Sequence, residues 1–296
     1  MRSRRRAIAW TVAGTTAAAL ACTWLAGELL SRPARRTLGA PPPALQGQTI
    51  ALRTDTGEAV AGWAADGRPG GGAVLLLHGV RSDRRQMLDR AQWLHREGYA
   101  VVLIDLPAHG ESSGDRITFG QRESAGVQAA LAEMARRWPR ERIGVIGVSL
   151  GAASAVLAPA LPGVKALVLE SMYPTIDDAT RNRLRHVLGP PGAMLTPALL
   201  WQLPLRAGVS PGALRPIDHM ATLPAPVLIL GGAVDAHTTP AETMRLQAAT
   251  GPTARMWLVP GAAHVDLHGW TRTDYERRVG AFLQEHLRPT PLGTDS

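Results

Sequence analysis

The chain has 296 residues, 45% of them hydrophobic, and a formal net charge of +8; that suits one large α/β domain or two small ones with a sizeable core. A single cysteine, Cys22, excludes an internal disulfide framework. Seven arginines and one glutamate fall in the first 36 residues, so the rest is near neutral, with no basic stripe among aromatics to bind nucleic acid.

The N-terminus opens with Arg2, Arg4, Arg5 and Arg6, followed by an uncharged run from Ala7 to Gly27. As a helix the run spans roughly 30 Å, one hydrocarbon core, with Trp10 and Trp24 near its ends. Residues 1–30 are therefore expected to be a membrane anchor that leaves the main domain outside the cytoplasm. The alternative is an export signal cut at Ala19-Leu20-Ala21. Residues 31–48, "SRPARRTLGAPPPALQGQ", read as a Pro-rich, solvated tether.

From Thr49, "TIALRTD" and "EAVAGWAA" flank Thr56-Gly57 as a hairpin. The continuous apolar runs Ala73–Gly79 and Tyr99–Leu106 suit buried parallel strands, with a helix between them capped by Ser82 or Asp83. The run "QRESAGVQAALAEMARRW" predicts a helix that stops before Pro139. Strands follow at 143–148, 164–170, 227–231 and 256–259, and "TDYERRVGAFLQEHL" closes as an amphipathic helix before a disordered tail, 289–296. This alternation predicts an α/β domain over 49–288 with a mostly parallel, doubly wound sheet. Residues from about 172 to 220 carry prolines and an apolar "MLTPALLWQLPL" without a strand, and read as a short helical cap. Its stripe of Leu195, Leu199, Leu200, Trp201, Leu203 and Leu205 either lines an acyl pocket or packs as core.

The strand at 143–148 ends on "GVSLG", with Ser149 between Gly147 and Gly151. A sharp strand-to-helix turn needs small residues at those two places and presents the hydroxyl at a helix N-terminus. Such a serine is nucleophilic only beside a base that a third group orients. Asp235 and His264 follow in the order acid, histidine, each just beyond a later strand. Glu170, which ends the next strand, is the competing acid; His237 and His268 compete as bases. The cluster His264, Asp266, His268 also has metal-ligand residue types but no second ligand set. The backbone N–H groups of Leu150 and Val80 are the expected oxyanion donors. His78 is expected to fix the loop after "LLLHG", and Asp105 and His109 to satisfy a turn.

"LLLHG", "LIDLPAHGESSG", "GVSLG", "PVLILGGAVD" and "VPGAAH", in this order, resemble the α/β-hydrolase superfamily, in particular its serine aminopeptidase, monoacylglycerol-lipase-like and membrane-anchored hydrolase groups. The resemblance spans about Gly47 to Leu287. It implies an α/β-hydrolase fold, a Ser149-Asp235-His264 triad, no metal and no cofactor, and a small-molecule ester or acyl substrate. Pro107-Ala108 stands where the family often has Arg-Gly, and Gly231 or Gly232 where it usually has histidine. The competing reading is a non-catalytic scaffold or binding module on the same fold.

Overall fold

The apolar runs pair into one eight-stranded sheet in a computed structural model of the chain, which describes residues 2–288. The expected disordered tail, 289–296, lies outside the described residues. The strands are β1 (Gln48–Arg53), β2 (Ala59–Ala65), β3 (Ala73–Leu77), β4 (Ala100–Ile104), β5 (Ile143–Val148), β6 (Val164–Glu170), β7 (Val227–Gly232) and β8 (Arg255–Val259). Their order is β8-β7-β6-β5-β3-β4-β2-β1. Six strands are parallel, and the β1–β2 hairpin joins β4 in antiparallel fashion.

The sheet is buried on both faces, as continuous Val, Ile and Leu runs require. One core packs the sheet under α3 (Glu123–Arg137), α4 (Leu150–Val156) and α8 (Pro240–Thr250), through side chains such as Val127, Ala152 and Leu246. The other packs it under α2 (Leu88–Arg96) and α10 (Arg272–Leu287), through Trp93, Leu94, Tyr275 and Phe282. Asp83, not Ser82, starts the turn before α2: its carboxylate accepts from the Arg85 N–H at 3.0 Å. The chain leaves β3 for β4 on one side and returns to β5 on the other. The ends of β3 and β5 therefore form a switch point, where a crevice opens beyond the strands.

Residues 172–220 form no strand. They carry α5 (Ile176–Leu188), α6 (Thr196–Leu200), α7 (Leu203–Ala207) and several 3₁₀ turns. Ile176, Leu200, Leu203, Ala207, Val209 and Leu214 give the segment a small core of its own.

Two N-terminal expectations need correction. Arg2–Ser31 is one 30-residue helix, α1, yet no helix among the described residues is long and apolar enough to cross a membrane. Ala and Thr dominate its uncharged run, and its last turns pack on the protein, with Gly27 and Ser31 buried. Nor is 31–48 a solvated tether. Ala34 and Arg35 bridge to His109 and Gly110, the Leu38 and Gly39 N–H groups donate to Glu111, and Leu45 is fully buried. An ordinary Pro-rich composition gave no sign of these long-range partners.

Behind the sheet, Arg90 of α2 is buried against Glu170, with Nη2 2.7 Å from Oε2 and Nε 3.1 Å from Oε1. The Tyr275 hydroxyl of α10 donates to the same carboxylate. A buried carboxylate that loses its cation is costly, whereas exchanging both charges for apolar groups is far less so. Arg90→Ala should therefore lower unfolding stability by about 3–5 kcal/mol. In denaturant titrations the Arg90→Met/Glu170→Leu pair should lose less than that single change; a larger loss would contradict this account.

Candidate active site

At the end of β5 the backbone turns through Ser149 at φ 51° and ψ −108°, a strained conformation for a residue with a side chain. Its N–H donates to the Glu170 carbonyl at 2.8 Å, which holds the turn against β6. Cβ atoms cannot be accommodated on either side. One at Gly147 would stand 2.5 Å from the Ala152 nitrogen, and one at Gly151 would strike the Leu77 and His78 carbonyls. Small residues at both positions thus let α4 start hard against β5 and β3. Ser149 is left half-buried at its N-terminus, facing a cavity of ≈ 450 Å³.

The loops after β7 and β8 bring the other two residues together. Gly232 permits this, because a Cβ there would lie 2.5 Å from the Ala263 carbonyl. The Ala233 and Val234 N–H groups then donate to Val259 and Ala262 at 3.0 and 2.9 Å. Across this junction His264 Nδ1 donates to Asp235 Oδ2 at 2.8 Å. The second Asp235 oxygen accepts from the His237 and Thr238 N–H groups at 2.7 and 2.9 Å. Burial pushes the Asp235 carboxyl up, but the His264 hydrogen bond and these amides outweigh it and hold its pKa below the usual value. With Nδ1 occupied, Nε2 is the ring nitrogen left free to take a proton. His264 lines the same cavity as Ser149, although the Ser149 hydroxyl has no hydrogen-bond partner among the described residues.

Val80 and Leu150 line this cavity too, and neither backbone N–H finds an acceptor among the described residues. The loop that carries Val80 is held from behind. His78 Nδ1 donates to the Gly79 carbonyl at 2.7 Å, while its Nε2 accepts the Leu106 N–H at 3.0 Å. His109 Nε2 accepts the Arg81 N–H at 3.0 Å and holds Arg81 in its positive-φ conformation. Gln86 Oε1 accepts the Gly79 N–H at 2.8 Å, a support that sequence motifs did not single out. Burial, helped by His109, lowers the His78 pKa from 6.5 to about 3, so this histidine is a neutral brace. The turn with Pro107-Ala108 is also structural, since the buried Asp105 carboxylate accepts from the Arg84 and Glu111 N–H groups.

The competitors lie elsewhere. The Glu170 carboxylate is taken by Arg90 and Tyr275 rather than by an imidazole. His268 is buried beside Trp93 with Nε2 2.9 Å from Glu276, and Asp266 pairs with Arg90 at 2.6 Å. The three members of the His264, Asp266, His268 cluster thus have three different partners, and no cluster that could hold a metal occurs among the described residues. His237 sets its ring edge-on to His264, centroids 5.3 Å apart. Burial and the nearby Arg183 lower its pKa, so it packs there as a neutral ring. Of the leucine stripe, Leu199, Leu200 and Leu203 line the cavity, whereas Trp201 and Leu205 are exposed.

A sheet of this order, a strained serine at its switch point and a buried acid hydrogen-bonded to a half-buried histidine in the same cavity define an α/β-hydrolase architecture. The family model for serine aminopeptidase, S33 matches residues 69–199. Uncharacterized protein Rv2307c of Mycobacterium tuberculosis is 31% identical over 251 residues, 81% of this chain and 80% of that protein. YqkD of Bacillus subtilis is 24% identical over 218 residues, 71% and 70% of the two chains. Esterase Pf2001 of Pyrococcus furiosus superposes with a TM-score of 0.74 at 23% identity, over 87% of this chain and 98% of that one. This chain belongs to the α/β-hydrolase superfamily.

The buried neutral His78 sets an acid limit on stability. Between about pH 6.5 and 3 the unfolded chain takes up a proton at His78 that the folded chain refuses. Stability should therefore fall as pH drops through that window. Thermal unfolding should show a shallower acid slope for His78→Gln than for wild type, and equal slopes would contradict the brace.

Proposed function

We propose that the protein is a serine hydrolase that cleaves carboxylic esters through an acyl-enzyme. Ser149 Oγ attacks the ester carbonyl carbon as His264 Nε2 takes its proton. Asp235 keeps the imidazole in the tautomer with Nδ1 protonated and stabilises the imidazolium that forms. The carbonyl oxygen, now negative, receives the N–H groups of Val80 and Leu150, with the N-terminal end of α4 adding its favourable dipole. The tetrahedral intermediate collapses, and His264 returns the proton to the departing alkoxide. Water then repeats the sequence on the acyl-Ser149 ester, which releases the acid and restores the serine.

The observation that carries this reading is the 2.8 Å Asp235–His264 hydrogen bond in the cavity that also holds Ser149 and two N–H groups without acceptors among the described residues. The apolar wall of Leu199, Leu200 and Leu203 favours an acyl chain over a charged group. Among relatives in fold, Pf2001 is called an esterase, which supports an ester substrate.

With p-nitrophenyl acetate or butyrate, Ser149→Ala should reduce kcat by at least about 10⁴-fold, and Asp235→Asn by about 10⁴-fold, with the fold intact by circular dichroism. Hydrolysis that survives in folded Ser149→Ala would contradict the serine mechanism. A wild type that hydrolyses no ester would favour a scaffold.

A further inference from the structure

One wall of the Ser149 cavity comes from outside the sheet and its cap. Gly27, Leu30 and Ser31, in the last turns of α1, line it directly. These turns are tied to both sides of the opening. Towards the cap, Glu28 pairs with Arg206 of α7 at 2.6 Å, and Gln202 Nε2 donates to the Thr23 carbonyl at 3.0 Å. Arg206 also donates to the Trp24 carbonyl and covers the Trp24 ring, 3.9 Å from its centroid. Gly27 lies directly beneath the Gln202 and Arg206 side chains, where a Cβ would stand 3.0 Å from Arg206 Nε and make the Gln202 amide shift.

Towards the sheet, Glu28 pairs with Arg116 at 2.8 Å, and the Ile117 N–H donates to the Ser31 carbonyl at 2.8 Å. Arg81, the residue after Val80, sends Nη1 to the Leu29 carbonyl at 3.0 Å and the Arg32 carbonyl at 3.3 Å. The end of α1 is thereby held in register with the loop that carries a proposed oxyanion donor. The α1 residues in these contacts all lie at Thr23 or later, past the Ala19-Leu20-Ala21 pattern.

We infer that the C-terminal turns of α1 are a specificity-determining wall of the acyl site: Leu30 limits the length and bulk of the acyl chain, and Glu28 fixes the distance of that wall from the cap. The inference rests on the ester-hydrolase reading and adds to it the element that selects among esters. A leucine bordering an apolar cavity discriminates chains through the space it occupies and the apolar surface it offers. Differences of one or two methylenes there translate into factors of about ten to a few hundred in kcat/KM. A carboxylate shared by Arg206 and Arg116 holds the helix from two directions and cannot be replaced by an amide without loss of both charge pairs.

The test compares the full-length wild type with Leu30→Trp, Leu30→Ala and Glu28→Gln. Each is assayed for kcat/KM on p-nitrophenyl esters from acetate to dodecanoate. A small fluorophosphonate, which needs no acyl pocket, reports separately on Ser149. Leu30→Trp should lower kcat/KM for the long chains by about tenfold or more relative to acetate. Leu30→Ala should shift the preference towards longer chains, and Glu28→Gln should flatten the profile. Chain-length profiles that superimpose on wild type in all three variants, with acetate still hydrolysed and Ser149 still labelled, would overturn the inference alone. A wild type that turns over no ester would overturn the ester reading and this inference with it.

Discussion

The strained turn at Ser149 is the constraint on which the rest of the site depends. A side chain at φ 51° costs about 1–3 kcal/mol and persists only where its surroundings leave the backbone no alternative. Here those surroundings are close contacts on three sides. Gly147 and Gly151 let α4 and β3 press in, the Ser149 N–H is fixed to β6, and the parallel sheet behind cannot shift. The turn places a hydroxyl and the free N–H of Leu150 at the mouth of the same cavity. The strain has a use as well as a cost, since it turns the Ser149 side chain out of the sheet into the cavity that His264 also lines.

Around that turn the supports are mostly neutral hydrogen bonds to backbone, not ion pairs. His78, His109 and Gln86 each bind a backbone group of the loop at 78–81, and burial keeps the two histidines uncharged. A charged brace next to a forming oxyanion would alter the local field with pH; a neutral one holds geometry without that dependence. The charged network of Arg90, Glu170 and Tyr275 joins α2, β6 and α10, and through Arg90 it also holds Asp266 of the loop that carries His264.

The sheet was legible in the sequence because each parallel strand is an apolar run ended by turn residues. Ser149, Asp235 and His264 could be picked out for the same reason: each sits at a strand end, where local turn chemistry shows. Order and spacing favoured Asp235 over Glu170, but what occupies the Glu170 carboxylate could not be read that way. Glu170 is committed by Arg90 and Tyr275, 80 and 105 residues distant in sequence, and no local pattern encodes those partners. The N-terminus misled for a related reason. Read alone, Ala7 to Gly27 is an uncharged helix of membrane length, but what its end does depends on Arg206, Arg116 and Arg81, far along the chain. The leucine stripe was half legible, because helical spacing reveals a face but not whether that face meets core, cavity or solvent.

The central claim is that Ser149 is an activated nucleophile. The most direct measurement is to label the folded protein with a fluorophosphonate and locate the adduct by peptide mass spectrometry. One stoichiometric adduct on Ser149, formed much more slowly in His264→Ala, is the result this account predicts. No adduct, or one equally fast without His264, would contradict it.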